Sequence, residues 1–272
     1  MQGTTMNLPQ LRDSVLDVDN RIALLTFQRD DVRNTLTGTE LISDIVNTLD
    51  WANRSEDVAI LILTGGGSAF SAGGNLKLMR ERSSASVLEV HKNYRRGIQR
   101  IPLAMQDAEI PVMAAVNGPA IGAGFNLACM CDLRIGSANA QFGETFINLG
   151  IIPGDGGAWF LQRLVGYQRA AELTFTGRTI KAQEARELGI LLEVTEPERL
   201  LTRAKEIAQT LGAKPPQTLR YAKRLLKLAQ SQALSEHLDM CSALQAICHK
   251  TEDHAEALAA FFEKRPGKFT GR

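Results

Sequence analysis

The sequence predicts an α/β core followed by a helical C-terminal region. Up to about residue 195, short apolar runs that indicate strands alternate with segments of helical periodicity. Beyond that point the apolar residues recur at helical spacing. A continuous apolar run at 58–63 is typical of a strand that is buried on both faces, as in a parallel sheet covered by helices. We therefore predict a core over residues 1–195 and a helical region over residues 196–272.

The individual elements follow from the same patterns, taken in chain order. Residues 1–20 show no regular pattern and are predicted to be irregular. Strands are predicted at 21–27, 58–63, 111–116, 133–135 and 191–194. Helices are predicted at 37–53, 85–106, 123–131, 156–165, 167–176, 181–188, 197–211, 216–230, 234–249 and 252–263. Thr37 is a candidate cap for the first helix, with Glu40 at the capping-box position, and Asp155 is a candidate cap for the helix at 156–165.

Composition and charge exclude several classes of protein. The 272 residues carry a formal net charge of +1, which favours neither a nucleic acid nor an anionic membrane as a partner. The uncharged stretch 112–131 contains a proline and three glycines, so a buried strand, turn and helix fit it better than a membrane span. The four cysteines form no C-x-x-C pair, and we expect free thiols in a reducing compartment, the cytoplasm. The histidines lie in predicted helices away from the motifs, and no metal site is predicted.

Two glycine-rich elements carry the chemical signal of the chain. In GPAIGAG at 118–124, Gly122 and Gly124 allow the backbone to pass close to another group. The helix that begins there directs free N–H groups and the positive end of its dipole outward, which suits an oxygen that gains negative charge. The second element, TGGGSAFSAGGNL, lies upstream at 64–76. Two such turns around one substrate predict an oxyanion hole, and tight packing alone is the alternative.

Longer motifs occur around these elements in a fixed order. They are AFSAGGNLK at 69–77, PVMAAVNGPAIGAGFNLACMCDLRI at 111–135, AQFGETFINLGIIPGDGGAWFLQRLVG at 140–166, LTFTGRTIKAQEARELGILLEV at 173–194 and FFEKRPGKF at 261–269. Over residues 20–270 the chain resembles the enoyl-CoA hydratase/isomerase (crotonase) superfamily. The resemblance implies a crotonase-like spiral of ββα turns with a C-terminal helical trimerisation subdomain. It also implies a homotrimer or hexamer, a coenzyme A thioester as substrate and no permanently bound cofactor.

The resemblance also implies roles for individual residues. The backbone N–H groups of Gly74 and Ala123 would hold the thioester oxygen, and each such donor is worth about 3 kcal/mol. The residues implied to line the coenzyme A path are Val32, Arg33, Ser71, Gly73, Gly74, Asn75 and Leu76. The residues implied to reach the cofactor of a neighbouring subunit are Phe261 and Lys264.

The two glutamates of the family's hydratases are absent. One falls on Asn126, which cannot take up a proton, and the other falls on Phe146, which has no polar atom. Two carboxylates remain nearby, those of Glu144 and Asp155, and one of them is the candidate base. We slightly favour Asp155 for isomerisation, because it lies one position after the place where some isomerases carry an aspartate. As alternatives, Asn126 only orients water or substrate, and Glu144 is a solvated loop carboxylate.

The reaction itself stays open at this point. Hydration and double-bond isomerisation of an unsaturated acyl-CoA are both consistent with the motifs. The combination of Asn126, no glutamate at 146 and an acidic loop also resembles ring-opening isomerases of aromatic acyl-CoA breakdown. A non-catalytic RNA-binding member is a further alternative. Basic residues at 80–100 and 220–227 would support it, whereas the low net charge and the lack of interleaved aromatic residues argue against it.

Overall fold

The computed structural model describes residues 8–81 and 83–272. The strands are β1 (Ser14–Asp19), β2 (Ile22–Phe27), β3 (Ile60–Gly65), β4 (Val112–Val116), β5 (Pro119–Ile121), β6 (Leu133–Ser137), β7 (Gln141–Gly143), β8 (Thr179–Lys181) and β9 (Glu193–Thr195). The helices before the tail are α1 (Leu41–Arg54), α2 (Leu76–Glu81), α3 (Val87–Arg96), α4 (Arg100–Asp107), α5 (Ala123–Met130), α6 (Gly157–Val165), α7 (Tyr167–Thr176) and α8 (Ala182–Glu187). The tail helices are α9 (Leu200–Gly212), α10 (Pro216–Leu228), α11 (Leu234–Cys248) and α12 (Glu252–Glu263).

Two sheets organise the core. The larger sheet has the strand order β1-β2-β3-β4-β6-β9, in which β1 and β2 are antiparallel and the other neighbours are parallel. The smaller sheet has the order β5-β7-β8. Because β4 is followed by β5 and α5, and β6 by β7 and α6, the chain alternates between the two sheets. This arrangement is the strand–strand–helix repeat that the family resemblance implies.

The larger sheet is buried on both faces, as the apolar run at 58–63 predicts. Along β3, Leu61 and Leu63 belong to the main core cluster, whereas Ile60 and Ile62 face a second cluster. The second cluster is closed by α9, whose buried residues include Leu200. Full burial of each such side chain contributes about 1.5–3 kcal/mol relative to exposure. The first tail helix, α9, therefore packs directly on the sheet. The domain boundary expected at 195/196 stays a prediction.

Several local predictions are wrong. Residues 14–19 are not irregular but form β1, because pairing with β2 satisfies their backbone groups. The predicted region 85–106 is two helices, α3 and α4. α1 begins at Leu41 with Glu40 as its N-cap residue, so Thr37 does not cap it. Instead the Thr37 hydroxyl oxygen accepts a hydrogen bond from the Asn75 N–H at 2.8 Å. α6 begins after Gly156, which occupies the N-cap position predicted for Asp155.

The tail helices lie where the sequence predicts them. The observed bounds of α10, α11 and α12 differ from the predicted ranges by two residues or fewer. No helix of the described residues is long and apolar enough to cross a membrane.

Candidate active site

The two glycine-rich elements lie against each other. The N–H of Ser71 donates to the carbonyl of Pro119 at 3.1 Å, and the N–H of Ile121 donates back to the carbonyl of Ser71 at 3.0 Å. A Cβ added to Gly73 would lie 2.9 Å from the nitrogen of Ala123, so only glycine allows this approach. The upstream loop thus extends the smaller sheet beyond β5 and brings Gly73 beside the start of α5.

Two backbone N–H groups at this junction are available to a ligand. On either side of Gly74, the N–H of Gly73 donates to the Ser71 hydroxyl at 3.1 Å and that of Asn75 to Thr37. Within residues 8–81 and 83–272, the N–H groups of Gly74 and Ala123 have no hydrogen-bond acceptor. Ala123 is the first residue of α5, where the helix dipole adds a positive potential.

Three polar side chains meet beside this junction, and we call Asn126, Glu144 and Asp155 the polar cluster. Glu144 is 1% exposed and Asp155 is 3% exposed, so neither is a solvated surface group. The Asn126 side-chain amide donates to Asp155 Oδ1 at 2.7 Å. Gly157 leaves room for the cluster, because a Cβ there would collide with the Asn126 amide and the Glu144 carboxylate.

The cluster holds unpaired polar atoms in a buried place. In the described part of the chain, no hydrogen-bond partner contacts Asn126 Oδ1, either carboxylate oxygen of Glu144, or Asp155 Oδ2. Buried polar groups are ordinarily paired, and leaving one unpaired costs about 1–3 kcal/mol. Four unpaired oxygens in one place are therefore the mark of a site that receives a polar ligand or water.

Burial shifts the acidities of both carboxyl groups upward. Burial, and then the negative charge of Asp155, raise the pKa of Glu144 to about 8, while the nearby Asn126 amide acts in the opposite direction. Burial likewise raises the pKa of Asp155, although the Asn126 amide and nearby backbone N–H groups favour its ionised form. With a pKa of about 8, Glu144 holds a proton at neutral pH, so it can act as an acid, and as a base once it has lost that proton.

Each member of the cluster is positioned by a different element. Asn126 lies three residues after Ala123 on α5, and therefore on the same side of the helix. Glu144 directly follows β7, whose last carbonyl, that of Gly143, accepts a hydrogen bond from the Gly122 N–H at 2.8 Å. Asp155 lies in the loop before α6. Backbone contacts of the smaller sheet thus hold Glu144 and Ala123 close together.

Two aromatic rings border the site. The ring of Phe146 lies beside Gly122, with its Cζ atom 3.5 Å from the position of an added Cβ. The ring of Tyr94, on α3, lies 2.7 Å from an added Cβ on Gly154. Burial and the negative charge of Asp155 raise the pKa of Tyr94. No sequence motif points to Tyr94, because it lies in a polar helix outside every motif.

Comparison with known proteins identifies the family. The family model described as enoyl-CoA hydratase/isomerase matches residues 17–272. The chain belongs to the enoyl-CoA hydratase/isomerase family. It is therefore an enzyme of that family with the crotonase fold, and both predictions from the sequence are confirmed.

Individual relatives cover nearly the whole chain. A short-chain-enoyl-CoA hydratase from Clostridium acetobutylicum is 34% identical, over 94% of this chain and 97% of its own. A trans-2-decenoyl-[acyl-carrier-protein] isomerase from Streptococcus mutans is 30% identical, over 96% of this chain and 99% of its own. The crystal structure of an enoyl-CoA hydratase from Bacillus anthracis matches with a TM-score of 0.88 and 34% identity, over 96% of this chain and 100% of that one.

The residues predicted to line the coenzyme A path lie in two loops that contact each other, at 32–33 and at 71–76, and the two residues predicted to reach a neighbouring subunit lie at the end of α12. The loop at 32–33 contacts the upstream glycine loop, since the Ala72 N–H donates to the Arg33 carbonyl at 2.9 Å. Ser71 is fully buried, so its side chain lies behind the loop surface, whereas Leu76 is exposed at the start of α2. Phe261 and Lys264 lie at the end of α12 and take no part in the hydrogen bonds that join the two glycine loops.

Proposed function

We propose that the chain catalyses proton transfer on an unsaturated acyl-CoA, through hydration or double-bond isomerisation. The observation that carries the proposal is the polar cluster, with its unpaired buried oxygens, beside the free N–H groups of Gly74 and Ala123. The thioester oxygen would accept from these two N–H groups. A carboxyl group of the polar cluster would then transfer a proton from or to the carbon next to the carbonyl. No step needs a permanently bound cofactor.

The oxyanion pair would stabilise the enolate that forms at the thioester. A negative charge develops on the carbonyl oxygen when the α-carbon loses a proton or when water adds to the β-carbon, and it disappears when the α-carbon gains a proton. Donors held in place before the reaction stabilise that charge without reorganisation, by about 3 kcal/mol each. Both donors here are backbone groups whose neighbours are held by hydrogen bonds: Gly73 and Asn75 beside Gly74, and Gly122 beside Ala123.

Glu144 is the group best placed to transfer the proton. Both of its carboxylate oxygens lack a partner in the described structure, whereas one oxygen of Asp155 is already held by Asn126. The contacts therefore support Glu144 as the proton-transfer group and Asp155 as its partner. In isomerisation one carboxylate can remove and return a proton. In hydration one carboxylate activates water while the other supplies the proton.

The basic tail residues do not favour an RNA-binding role. Arg220 donates to the carbonyl of Ser55 at 2.8 Å, and the Lys223 ammonium contacts Asp132 at 2.6 Å. Lys227 donates to three carbonyls at the end of α4, including that of Met105. These cations are bound within the chain and do not form a free basic face.

Nothing in the geometry of the described residues favours ring opening of the acyl group over a simple double-bond shift.

A panel of enoyl-CoA thioesters tests the proposal. Incubation followed by mass spectrometry separates the reactions: a gain of one water means hydration, and a new chromatographic peak of unchanged mass means isomerisation. The double variant Glu144→Gln/Asp155→Asn is the matched control, because it keeps both side-chain shapes and removes both proton acceptors. If calorimetry shows no binding of any acyl-CoA at millimolar concentration, the proposal is wrong.

We also propose that the chain forms a homotrimer, alone or paired into a hexamer, in the cytoplasm. The tail helices expose large apolar side chains, among them Leu234 at 72%, Phe261 at 77% and Phe262 at 78%. Exposed apolar area of this kind favours association. In an assembled trimer Phe261 and Lys264 would reach the coenzyme A of a neighbour. A light-scattering mass of one 29.7 kDa chain would contradict the assembly.

Free thiols at all four cysteines in the described part of the chain support the proposed reducing compartment, the cytoplasm.

A further inference from the structure

Ser71 connects three segments that meet at the oxyanion pair. Its side chain is fully buried. The hydroxyl donates to the carbonyl of Asn34 at 2.7 Å and accepts from the N–H of Gly73 at 3.1 Å. Its backbone pairs with the start and the end of β5. A Cβ added to Gly124 would lie 2.8 Å from the Ser71 Cβ, so α5 packs against the same residue.

Asn34 holds the other end of this connection in an uncommon conformation. Arg33 and Asn34 both have left-handed backbone angles, with φ values of +52° and +53°. Such angles cost free energy in residues with a side chain and persist where contacts compensate. The Asn34 amide donates to the carbonyls of Gly66 and Ala69 at 2.9 and 2.8 Å, and its side-chain oxygen accepts from the Arg29 N–H at 2.9 Å. These bonds fix the carbonyl that Ser71 uses.

We infer that Ser71 and Asn34 are positioning residues that aim the Gly74 N–H at the site. Gly73 and Gly74 have no side chains, and Gly73 has a φ of +79°, so side-chain sterics alone would not hold these two residues in one conformation. The peptide plane between them carries the Gly74 N–H, and its carbonyl oxygen, that of Gly73, accepts a hydrogen bond from the Leu36 N–H at 2.7 Å. Ser71 fixes the residue before that N–H, and Thr37 fixes the residue after it. An oxyanion donor must be held before the reaction to be effective.

The test compares two serine-to-alanine variants in one loop. Ser71→Ala removes both side-chain bonds and leaves a residue of similar size in a buried position. Ser68→Ala is the matched control, because the exposed Ser68 hydroxyl binds Asp30 at 2.7 Å and has no bond to the oxyanion loop. We expect Ser71→Ala to lower kcat by about tenfold to a hundredfold, since a donor displaced by about 1 Å costs that much. KM should change by less than about threefold, because ground-state binding is kept.

A spectroscopic measurement separates positioning from mere stability. The absorption band of a bound conjugated enoyl thioester moves to longer wavelength when its carbonyl is polarised. We expect this shift in the wild type and in Ser68→Ala, and a smaller shift in Ser71→Ala at equal occupancy. Asn34→Gly keeps the left-handed backbone and the carbonyl but loses the side-chain bonds. It should reduce the shift in the same direction.

The inference rests on the proposed function, and the outcomes separate the two. If Ser71→Ala keeps the wild-type kcat and band shift, the inference is wrong. It is equally wrong if the activity loss lies in KM alone or equals the unfolded fraction measured by circular dichroism. If the wild type binds an enoyl-CoA with a shifted band but converts none of the panel, the proposed reaction fails, and the band shift of Ser71→Ala still decides the inference. If the wild type binds no acyl-CoA, both fail.

Discussion

Replacing Glu144 with glutamine removes a buried acid while keeping the shape of the side chain. The new amide can donate to Asn126 Oδ1, an atom that has no partner among the described residues. We therefore expect Glu144→Gln to fold normally and to bind acyl-CoA. Because an amide cannot transfer a proton, turnover should fall by about 10²–10⁴. The same change should make the protein more stable above neutral pH.

The size and sign of the stability effect follow from the acidity of Glu144. Burial raises its pKa from the ordinary 4.5 to about 8 in the folded protein. Between these values the folded state holds a proton that the unfolded state has released, so the free energy of unfolding falls as the pH rises. The slope is about 1.4 kcal/mol per pH unit, and the total loss is on the order of 5 kcal/mol above pH 8. Glutamine does not titrate, so the variant avoids this loss.

Urea unfolding of both proteins between pH 5.5 and 9, at one protein concentration, measures the effect. The stability of Glu144→Gln relative to the wild type should rise with pH up to about pH 8 and then level off. Glu172→Gln is the control. Glu172 is exposed and contacts Arg178, and its own pKa is lowered, so the stability of this variant relative to the wild type should not rise with pH. A stability difference that does not depend on pH would refute the buried, protonated state of Glu144. Full turnover by the variant would exclude Glu144 as the proton-transfer group.

Four further substitutions test other parts of the structure. Asp155→Asn should lower turnover by about 10²–10⁴ with nearly unchanged acyl-CoA affinity by calorimetry, and unchanged turnover would remove Asp155 from the mechanism. Gly157→Ala places a methyl group inside the polar cluster and should cost about 1–3 kcal/mol together with most activity. Gly150→Ala, where an added Cβ meets open space among the described residues but φ is +68°, should cost about 1 kcal/mol in urea unfolding and keep kcat. Lys223→Ala removes the buried ammonium that binds Asp132 and the Ile110 carbonyl, and should cost about 1–3 kcal/mol in urea unfolding at unchanged kcat.

The elements that the sequence predicts are those whose pattern is local. β3 is a run of six buried residues, and α12 has the predicted bounds, because burial and helical periodicity repeat within each segment. β1, β5, β7 and β8 were not predicted. β5 is three residues long and follows an N-G-P turn, and it becomes a strand only by pairing with β7 and with Ser71 from a distant loop. Pairing between distant segments leaves little trace in either segment alone.

The candidate site also has a part that could be predicted from the sequence and a part that could not. Gly74, Ala123 and the three members of the polar cluster could be named from motifs and resemblance. The sequence left Glu144 open as a solvated loop carboxylate, since nothing near it in the chain shows that it is buried. Its burial arises from the fold, because Gly157 on α6 and Asn126 on α5 pack beside it. The raised pKa of Glu144 follows from that burial and could not be predicted from the sequence.

In the proposed mechanism, backbone groups supply one part of the chemistry and side chains supply another. The proposed oxyanion donors are backbone N–H groups, so substitutions of side chains elsewhere leave them in place as long as the loop and α5 keep their geometry. The proposed acid and base are the side chains of Glu144 and Asp155, and the Asn126 amide holds one of them by a hydrogen bond. Under this proposal the fold would preserve enolate stabilisation while the position of the proton-transfer group is free to change between neighbouring residues. The oxyanion pair would then set the kind of intermediate, and the placement of the two carboxyl groups would decide which product forms from it.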